Sequence, residues 1–493
     1  MLRKALRWVM TGSWWLLVAF LPISSLPLIA RAVGSSSVAA LSGIFLLILV
    51  VGSLIPFLLK GGPLPGQVRP LLGFLVWCLA VTAISMFGLT PGFKDMSPLR
   101  NQIESLVTLA IGVLFYLVTV VWAQDERRLG TTLKIINWSG LAVLIWCGLQ
   151  AAAWYSGHRY PLWMREIQDF LSMGVLYRQR VTGFALEPSW LAHQLNLVYL
   201  PLWLAATVRR TSAHSIRILK LSFENLLLIG GIAALWLSYS RVGLLGFALM
   251  LAVLIWRATV WLVHKAPTWI LPVRHGNAIS PAIRRSLTGI VILLILVSYI
   301  GIAVGGLAAL SKLDPRMADV FNVKLADDNP LLRYANSLKF GERIVYWQTG
   351  WNIFTDHPLM GVGLGNAGFY FEQKMPAYGW FLIEVRRLMF RENVLLNIKS
   401  LWVRLLAETG VVGFVLFLTW LLMLMFSSRH AESLSNRHSG SVGLMGLLML
   451  AALLAEGFSI DSFALPYLWF TAGLATAAAG HTSSPQIREG SSI

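Results

Sequence analysis

Long apolar runs separated by short polar segments dominate this chain. An α-helix needs about 20 predominantly apolar residues to cross a bilayer, so each long run predicts one membrane span. Twelve spans are predicted, at 13–31, 38–59, 70–88, 104–123, 135–156, 189–208, 223–240, 242–263, 288–310, 402–426, 442–460 and 463–480. The pattern therefore predicts an all-α, polytopic integral membrane protein with about 12 transmembrane helices.

The spacing of the spans predicts four regions. Residues 1–310 hold nine spans and a polar segment at 157–188, and residues 402–480 hold the last three spans. The intervening block 311–401 is the largest segment without a span, and we call it the large loop. Ile344, Trp347, Trp351 and Phe354 recur there at helical spacing, which predicts a helix that lies on the membrane surface. Residues 481–493 form a polar tail.

Positive charge predicts the orientation of the spans. With both termini in the cytoplasm, the cytoplasmic segments hold 20 lysines and arginines and the short outer segments hold 8. Cytoplasmic loops are enriched in these residues, whereas long segments translocate largely regardless of their charge. The count therefore predicts cytoplasmic termini and places both 157–188 and the large loop on the outer face. The first apolar run has no small-residue cleavage site after it and is interpreted as a retained span.

Composition agrees with a protein that lies in lipid. The chain is 57% hydrophobic and only 13% charged, whereas soluble domains carry about 25% charged residues. The net charge of +18 is explained by the basic cytoplasmic loops, and no nucleic-acid partner is expected. Cys78 and Cys147 lie within apolar runs and lack metal-ligand spacing. Neither a metal site nor a cofactor is predicted.

Candidate chemistry concentrates at Gly341–Asn366, a stretch that is too polar to span the membrane. Arg343 opens it, and the sequence DHPLMGVGLGN with His357 closes it. The pKa of an unperturbed histidine, about 6.5, would suit a general base, and the alternative for His357 is a residue that ends a helix. No strand precedes the glycines, so a dinucleotide fingerprint is rejected. The glycines instead predict tight turns against the membrane or a glycan.

Three arginines are predicted on the outer face, namely Arg180, Arg241 and Arg343. Guanidinium groups match diphosphate oxygens bidentately, so three of them predict a pocket for an anionic lipid headgroup. The alternative for each one is that it reaches phosphate headgroups at the bilayer surface.

Two carboxylates join His357 as candidates for the general base. Glu187 lies seven residues after Arg180 and precedes Pro188, where a helix can begin; it can act as the base, pair with Arg180 or cap the helix. Glu408 lies inside a predicted span, where a carboxylate needs a partner, and Arg404 lies one helical turn before it.

These motifs resemble those of the O-antigen ligase and polymerase superfamily, which includes the Wzy-type polysaccharide polymerases. The segments that carry the resemblance are RVTGFALEPSWLA at 180–192, LSYSRVGLLGF at 237–247, and RIVYWQTGWNIFTDHPLMGVGLGNAGF followed by LLAETGVVGF. The resemblance covers mainly residues 180–415. It implies an inverting, metal-independent glycosyltransferase of the bacterial inner membrane, active at the periplasmic face. The donor would be a glycan on undecaprenyl diphosphate, with the diphosphate bound by Arg180, Arg241 and Arg343.

The acceptor separates polymerases from ligases within this superfamily. Ligases carry a histidine shortly before the segment that matches LLAETG, but this chain reads ENVLLNIKSLWVRLLAETG there. The difference favours a polymerase that makes O-antigen, capsule or exopolysaccharide, with a second lipid-linked repeat unit as acceptor. The alternative is a ligase that transfers the glycan to a lipid A core. The base would then be Glu187, His357 or Glu408, in that order. By family analogy a chain-length regulator and a flippase are expected partners.

Two other classes of function compete with glycan transfer. A transporter or flippase of lipid-linked oligosaccharides tends to place polar residues near the bilayer midplane and to repeat its halves. Here the ionisable residues gather at the outer ends of the spans, which argues against passage through the bilayer. The third interpretation is a non-catalytic component of an export complex.

Overall fold

A computed structural model describes residues 2–33, 38–88, 90–270, 289 and 341–482, and the regular secondary structure in these ranges is almost entirely helical. The helices before the large loop are α1 Leu2–Ala19, α2 Pro27–Val33, α3 Ser42–Leu59, α4 Val68–Ser85, α5 Pro98–Trp122, α6 Glu126–Gly157, α7 Leu162–Leu171, α8 Pro188–Arg209, α9 Phe223–Leu237 and α10 Arg241–Ile270. The longer helices from Gly341 onward are α11 Gly341–Asp356, α12 Ile383–Phe390, α13 Leu401–Ser433, α14 Arg437–Glu456 and α15 Pro466–Ala479, and a single helical turn spans Phe371–Lys374. Two short strands, β1 Arg217–Ile218 and β2 Leu221–Ser222, pair antiparallel.

Eight of the described helices, α3 to α6, α8, α10, α13 and α14, are long and apolar enough to cross a membrane. Each coincides with a predicted span, so the all-α, polytopic membrane architecture is confirmed. The predicted span 288–310 lies outside the described residues, apart from Gly289.

Three predicted spans differ from the structure. The span at 13–31 is wrong as one helix, because α1 ends at Ala19 and α2 begins only at Pro27. Pro22 and Pro27 lack the backbone N–H that a continuous helix would use. The spans at 223–240 and 463–480 correspond to α9 and α15, which have 15 and 14 residues and are therefore shorter than a bilayer crossing. Every residue of α15 is buried, which explains why its sequence is apolar on all sides.

The described chain forms two compact units. Of the described residues, those up to 250 form the first unit together with 349–374 and those from 395 onward, and those within 251–348 and 375–394 form the second. In the first unit α13 packs against α14 and α4, and α15 packs against α5 and α14. Aromatic rings fill this core: Trp420 stacks on Trp469 with 5.3 Å between ring centroids and meets Tyr116 edge-on at 5.5 Å.

Helix α8 is locally irregular, and its sequence explains why. Residues 195–199 form a π-helical turn, and Pro201 follows it. Proline cannot donate to the carbonyl oxygen four residues earlier, which here belongs to Leu197. That oxygen instead accepts a hydrogen bond from the Thr471 hydroxyl at 2.7 Å. The irregular turn is thus stabilised by α15, and π-helical turns are common at functional sites.

Candidate functional site

The structure brings the segments of Arg180 and Arg241 together in the first unit. The Nε atom of Arg180 donates to the carbonyl oxygen of Ser238 at 2.9 Å, and the Val181 amide donates to Leu237 at 3.1 Å. Arg241 begins α10 three residues after Ser238. Ser240 caps this helix, because its hydroxyl accepts from the Gly243 amide at 3.2 Å. The Arg180 guanidinium is therefore held beside the N-terminal end of α10, the helix that begins at Arg241.

Tyr177 and Glu187 lie in the same neighbourhood. The Arg180 guanidinium lies over the Tyr177 ring, 6.0 Å from its centroid. Burial raises the pKa of Tyr177, the Glu187 carboxylate raises it further, and Arg180 acts to lower it. Both charges are therefore close enough to act on one phenol. We call Tyr177, Arg180, Glu187, Ser238 and Arg241 the Arg180 cluster.

Glu187 occupies the N-cap position of α8 without capping it through its side chain. Its backbone carbonyl accepts from Trp190 and Leu191, while its carboxylate accepts a short hydrogen bond from the Ser189 hydroxyl. The side chain is half-buried. The carboxylate is thus oriented at the edge of the Arg180 cluster, where a base could meet a substrate hydroxyl.

Arg343 lies in the first turn of α11 and belongs to the second unit. Its place in one pocket with Arg180 and Arg241 stays a prediction.

His357 directly follows α11, as its alternative interpretation expected. Its amide donates to Ile353 at 3.1 Å, and its ring meets Tyr370 edge-on at 5.8 Å. The side chain is exposed and lines an open groove of about 320 Å³. The other residues that line the groove are Val81, Ile84, Ser85, Pro358, Leu359, Met360 and Gly361. His357 is therefore accessible, but the groove around it is mostly apolar.

The glycine run after His357 lies against a break in α13. Gly361, Gly363 and Gly365 all have positive φ, which confirms the predicted tight turns. Gly410 has φ 64° and ψ −172° inside α13, so the helix is interrupted there. The Val362 and Gly363 amides donate to Ala407 and Glu408 at 3.0 and 2.9 Å. The surface against which the glycines turn is therefore protein.

Glu408 is paired with Arg404, as its alternative interpretation expected. Arg404 Nε donates to the Glu408 carboxylate at 2.8 Å, and Arg404 Nη1 donates to the carbonyl oxygen of Asp461 at 2.7 Å. The side chains of Arg404 and Glu408 are only 14% and 5% exposed. We call Arg404, Glu408 and Asp461 the Arg404 cluster. Because its carboxylate is buried and already bonded to a guanidinium, Glu408 suits a structural role better than that of a base.

A third polar cluster, His193, Asn196 and Glu456, was not predicted. Asn196 Nδ2 donates to Glu456 Oε1 at 2.6 Å, and His193 Nδ1 lies 3.3 Å from Glu456 Oε2. All three side chains are buried. The available signal was polar residues within apolar spans, in LEPSWLAHQLNL and LLMLAALLAEG, because such residues are costly in a membrane unless they are partnered. We call these three residues the Glu456 cluster.

The three clusters are connected through the chain. Asn196 Nδ2 also donates to the carbonyl oxygen of Gly243 at 2.7 Å, two residues after Arg241. Glu456 ends α14, and Asp461 of the Arg404 cluster follows five residues later. The first turn of α10, which begins at Arg241, is thus bonded to the Glu456 cluster, and a short segment joins the Glu456 cluster to the Arg404 cluster. Among the residues that the structure describes, no three His, Cys, Asp or Glu side chains are grouped to hold a metal ion.

Comparison with known families identifies part of the chain. Residues 226–418 match the family described as O-antigen ligase. The match includes Arg241, Arg343, His357 and Glu408, and it confirms the resemblance that the motifs predicted. Comparison with curated proteins gave no match.

Proposed function

We propose that this membrane enzyme of the O-antigen ligase and polymerase type joins lipid-linked oligosaccharide repeat units into a polysaccharide. The donor is a glycan on undecaprenyl diphosphate, the acceptor is a second lipid-linked repeat unit, and the reaction takes place at the periplasmic face of the inner membrane. The hydrogen bond between Arg180 Nε and Ser238 carries this proposal, because it places a second cationic segment beside Arg241.

The Arg180 cluster suits a diphosphate. Arg180 Nε donates its hydrogen bond to the carbonyl oxygen of Ser238, and this bond fixes the orientation of the guanidinium plane. Arg241 begins a 30-residue helix, where the helix dipole also favours negative charge. Two guanidinium groups and a helix N-terminus together can offset the charge that develops on a departing diphosphate.

The transfer is a single displacement. The acceptor hydroxyl oxygen forms a bond to the anomeric carbon of the donor, while the bond from that carbon to the diphosphate oxygen breaks. Undecaprenyl diphosphate leaves with the bonding electrons, and the configuration at the anomeric carbon inverts. The hydroxyl proton passes to a base, for which Glu187 is the first candidate because it is half-buried, bonded to Ser189 and, like Arg180, close enough to Tyr177 to shift the pKa of that phenol. The exposed His357 is the second candidate.

Ligation is the second candidate function, because the matching family is described as O-antigen ligase. The donor half of the reaction would be the same, and only the acceptor would change to a lipid A core. The chain-length regulator and the flippase remain proposed partners of a polymerase.

The test compares Arg180→Ala, Arg241→Ala and Glu187→Gln in cells, with membrane levels of each variant measured. Polymer length and undecaprenyl-linked single repeats are assayed in the same samples. The matched control is Arg178→Ala, which removes an exposed arginine two residues from Arg180. We expect loss of long polymer and persistence of single repeats in the three variants but not in the control.

Other outcomes assign other functions. Long polymer that stays on undecaprenyl diphosphate and never reaches its final acceptor would identify a ligase. Single repeats confined to the cytoplasmic leaflet would identify a transporter. Normal polymer in all three variants would remove the Arg180 cluster from the proposed site.

A further inference from the structure

The Glu456 cluster contains a carboxylate buried among helices α8, α10 and α14. Glu456 is 1% exposed, Asn196 is fully buried and His193 is 6% exposed. Burying such groups is costly unless each is hydrogen-bonded, and here the carboxylate has a partner on each oxygen. An ionisable group buried inside an otherwise apolar helix packing is a candidate functional residue.

Asn196 is the centre of the cluster because it uses its side-chain amide twice. One bond from Nδ2 goes to Glu456 Oε1 at 2.6 Å and the other to the carbonyl oxygen of Gly243 at 2.7 Å. An amide nitrogen has two hydrogens, so its donor capacity is spent. The π-helical turn at 195–199 contains Asn196, and such a turn changes the direction in which side chains leave the helix.

The first turns of α10 fit tightly against this amide. A Cβ atom on Gly243 would lie 2.5 Å from Ala192 Cβ. A Cβ atom on Gly246 would lie 3.0 Å from Asn196 Nδ2 and 3.4 Å from Glu456 Cγ. The two glycines are three residues apart and therefore on one face of the helix, which they bring against α8. Asn196 thus contacts the start of α10 at two places, by its hydrogen bond to Gly243 and by its packing against Gly246.

We propose that Asn196, held by the Glu456 carboxylate that His193 also contacts, is a positioning residue for Arg241, and that it sets the guanidinium where the diphosphate leaves. This inference rests on the proposed glycan transfer. Asn196 bonds the backbone two residues after Arg241, so a shift of this contact is transmitted directly to the helix start. Errors of about 1 Å in the position of a catalytic group can cost about 100-fold in rate.

The proposal predicts that loss of Asn196 lowers kcat much more than it changes KM. Arg241 is proposed to stabilise the extra charge that develops on the departing diphosphate, and the part of an interaction that strengthens in the transition state affects kcat. Asn196→Ala is therefore expected to lower kcat about 10- to 100-fold, with KM changed less than about 3-fold. A milder variant, Gly246→Ala, keeps all polar groups but displaces Asn196 by a few tenths of an ångström, and it should lower kcat in the same manner. Its matched control is Gly148→Ala, because a Cβ atom there meets nothing within 4 Å.

The experiment is a double-mutant cycle on the purified full chain with an undecaprenyl-diphosphate-linked oligosaccharide. Rates are expressed per monodisperse protein, so that unfolded material does not enter kcat. Asn196→Ala is measured in the wild-type and in the Arg241→Lys background. If Asn196 acts through Arg241, its loss should cost less than about 3-fold once Arg241 is already replaced. Glu456→Gln, which keeps an oxygen for the Asn196 amide, should recover most of the kcat that Glu456→Leu loses.

Each outcome decides the proposal. Equal losses from Asn196→Ala in both backgrounds would overturn it, because the two residues would then act independently. If Asn196→Ala does not yield monodisperse protein, the same cycle is run with Gly246→Ala, and equal losses there would overturn the proposal as well. Unchanged activity in Arg241→Lys and Arg241→Ala would contradict the proposed function itself, which is a different failure.

Discussion

Gly410 and Leu359 are in such close contact that a Cβ atom on Gly410 would collide with the Leu359 carbonyl group and lie 2.6 Å from the Met360 amide nitrogen. Gly410 also has φ 64° and ψ −172°, a conformation that is essentially restricted to glycine. The break in α13 and the glycine run after His357 therefore depend on each other. The Val411 amide, freed by the break, donates to Pro358 at 2.8 Å.

Gly410→Ala is expected to lower the free energy of unfolding by more than about 2 kcal/mol, because backbone strain and the collision both act on the folded state. The measurement is thermal stability in detergent, followed as the loss of monodisperse protein. The control is Gly148→Ala in α6, where a Cβ atom meets nothing and helix propensity favours alanine by about 0.5–1 kcal/mol. Equal stability of the two variants would contradict this account of the break.

Two ion pairs with the same sequence spacing and the same N···O distance differ strongly in burial. Arg404–Glu408 and Arg100–Glu104 are both i,i+4 pairs at 2.8 Å, but the side chains of the second pair are 74% and 57% exposed. Removal of one partner from a buried pair leaves an uncompensated charge. Glu408→Ala should therefore cost about 3–5 kcal/mol of unfolding free energy. Glu104→Ala should cost no more than about 0.5 kcal/mol.

The double variant Arg404→Met with Glu408→Leu separates pairing from catalysis. It removes both charges together, so most of the stability should return. Activity per folded protein should then exceed that of Arg241→Ala. A folded double variant without any activity would instead return Glu408 to the list of candidate bases.

The His481 side chain, near the end of the described chain, contacts residues at the starts of α6 and α14. Its Nδ1 lies 3.2 Å from the Glu126 carboxylate and 2.7 Å from the Ser439 hydroxyl, and its Nε2 lies 3.0 Å from the carbonyl oxygen of Ala123. Burial acts to lower the pKa of His481, but the hydrogen bonds to Glu126 and Ala123 outweigh it, so the pKa is raised. When both ring nitrogens of His481 carry a proton, Nδ1 can donate to the Glu126 carboxylate and Nε2 to the carbonyl oxygen of Ala123.

The sign of the pH dependence follows from this shift. A raised pKa in the folded state gives a stabilisation that is fully present below the unfolded pKa of about 6.5 and is lost as pH rises through the folded pKa. Thermal stability should therefore fall as the pH rises above about 6.5, and His481→Phe should flatten that dependence. The exposed His158 supplies the control, His158→Gln, which should leave the pH dependence unchanged.

Arg180→Lys tests whether guanidinium geometry matters. A lysine keeps the charge but cannot donate to Ser238 and grip a diphosphate in the same fork-like arrangement. We expect a loss of activity of about 10- to 100-fold, comparable to other losses of oriented charge stabilisation. The control Arg178→Lys should change activity less than about 2-fold. Full activity of Arg180→Lys would show that charge alone is sufficient.

Most of the membrane architecture could be predicted from the sequence, because the length of each apolar run is a local property of the chain. Eight predicted spans are helices of sufficient length, and the pairing of Arg404 with Glu408 followed from their i,i+4 spacing. The interruption of the first span was missed although Pro22 and Pro27 were visible, because the apolar run continues through both.

The interior of the site could not be predicted, because it depends on helices that are far apart in sequence. Asn196 and Glu456 are separated by 260 residues, and their bond requires the packing of α8 against α14. Likewise the glycine run predicted tight turns, but only the fold shows that they turn against the break at Gly410. Arg180 and Ser238 each lie in a motif that carries the family resemblance, yet no feature of the neighbouring sequence indicated that the two residues are hydrogen-bonded.

The most direct test of the proposed function is release of undecaprenyl diphosphate by purified protein in vesicles that contain a lipid-linked repeat unit. Released carrier and lengthened lipid-linked product are measured by mass for the wild type, Arg241→Ala and Arg178→Ala. We expect one carrier released for each glycosidic bond formed, with both products lost in Arg241→Ala and retained in Arg178→Ala. Equal carrier release by Arg241→Ala and the wild type, or movement of the repeat unit across the bilayer without release, would contradict the account.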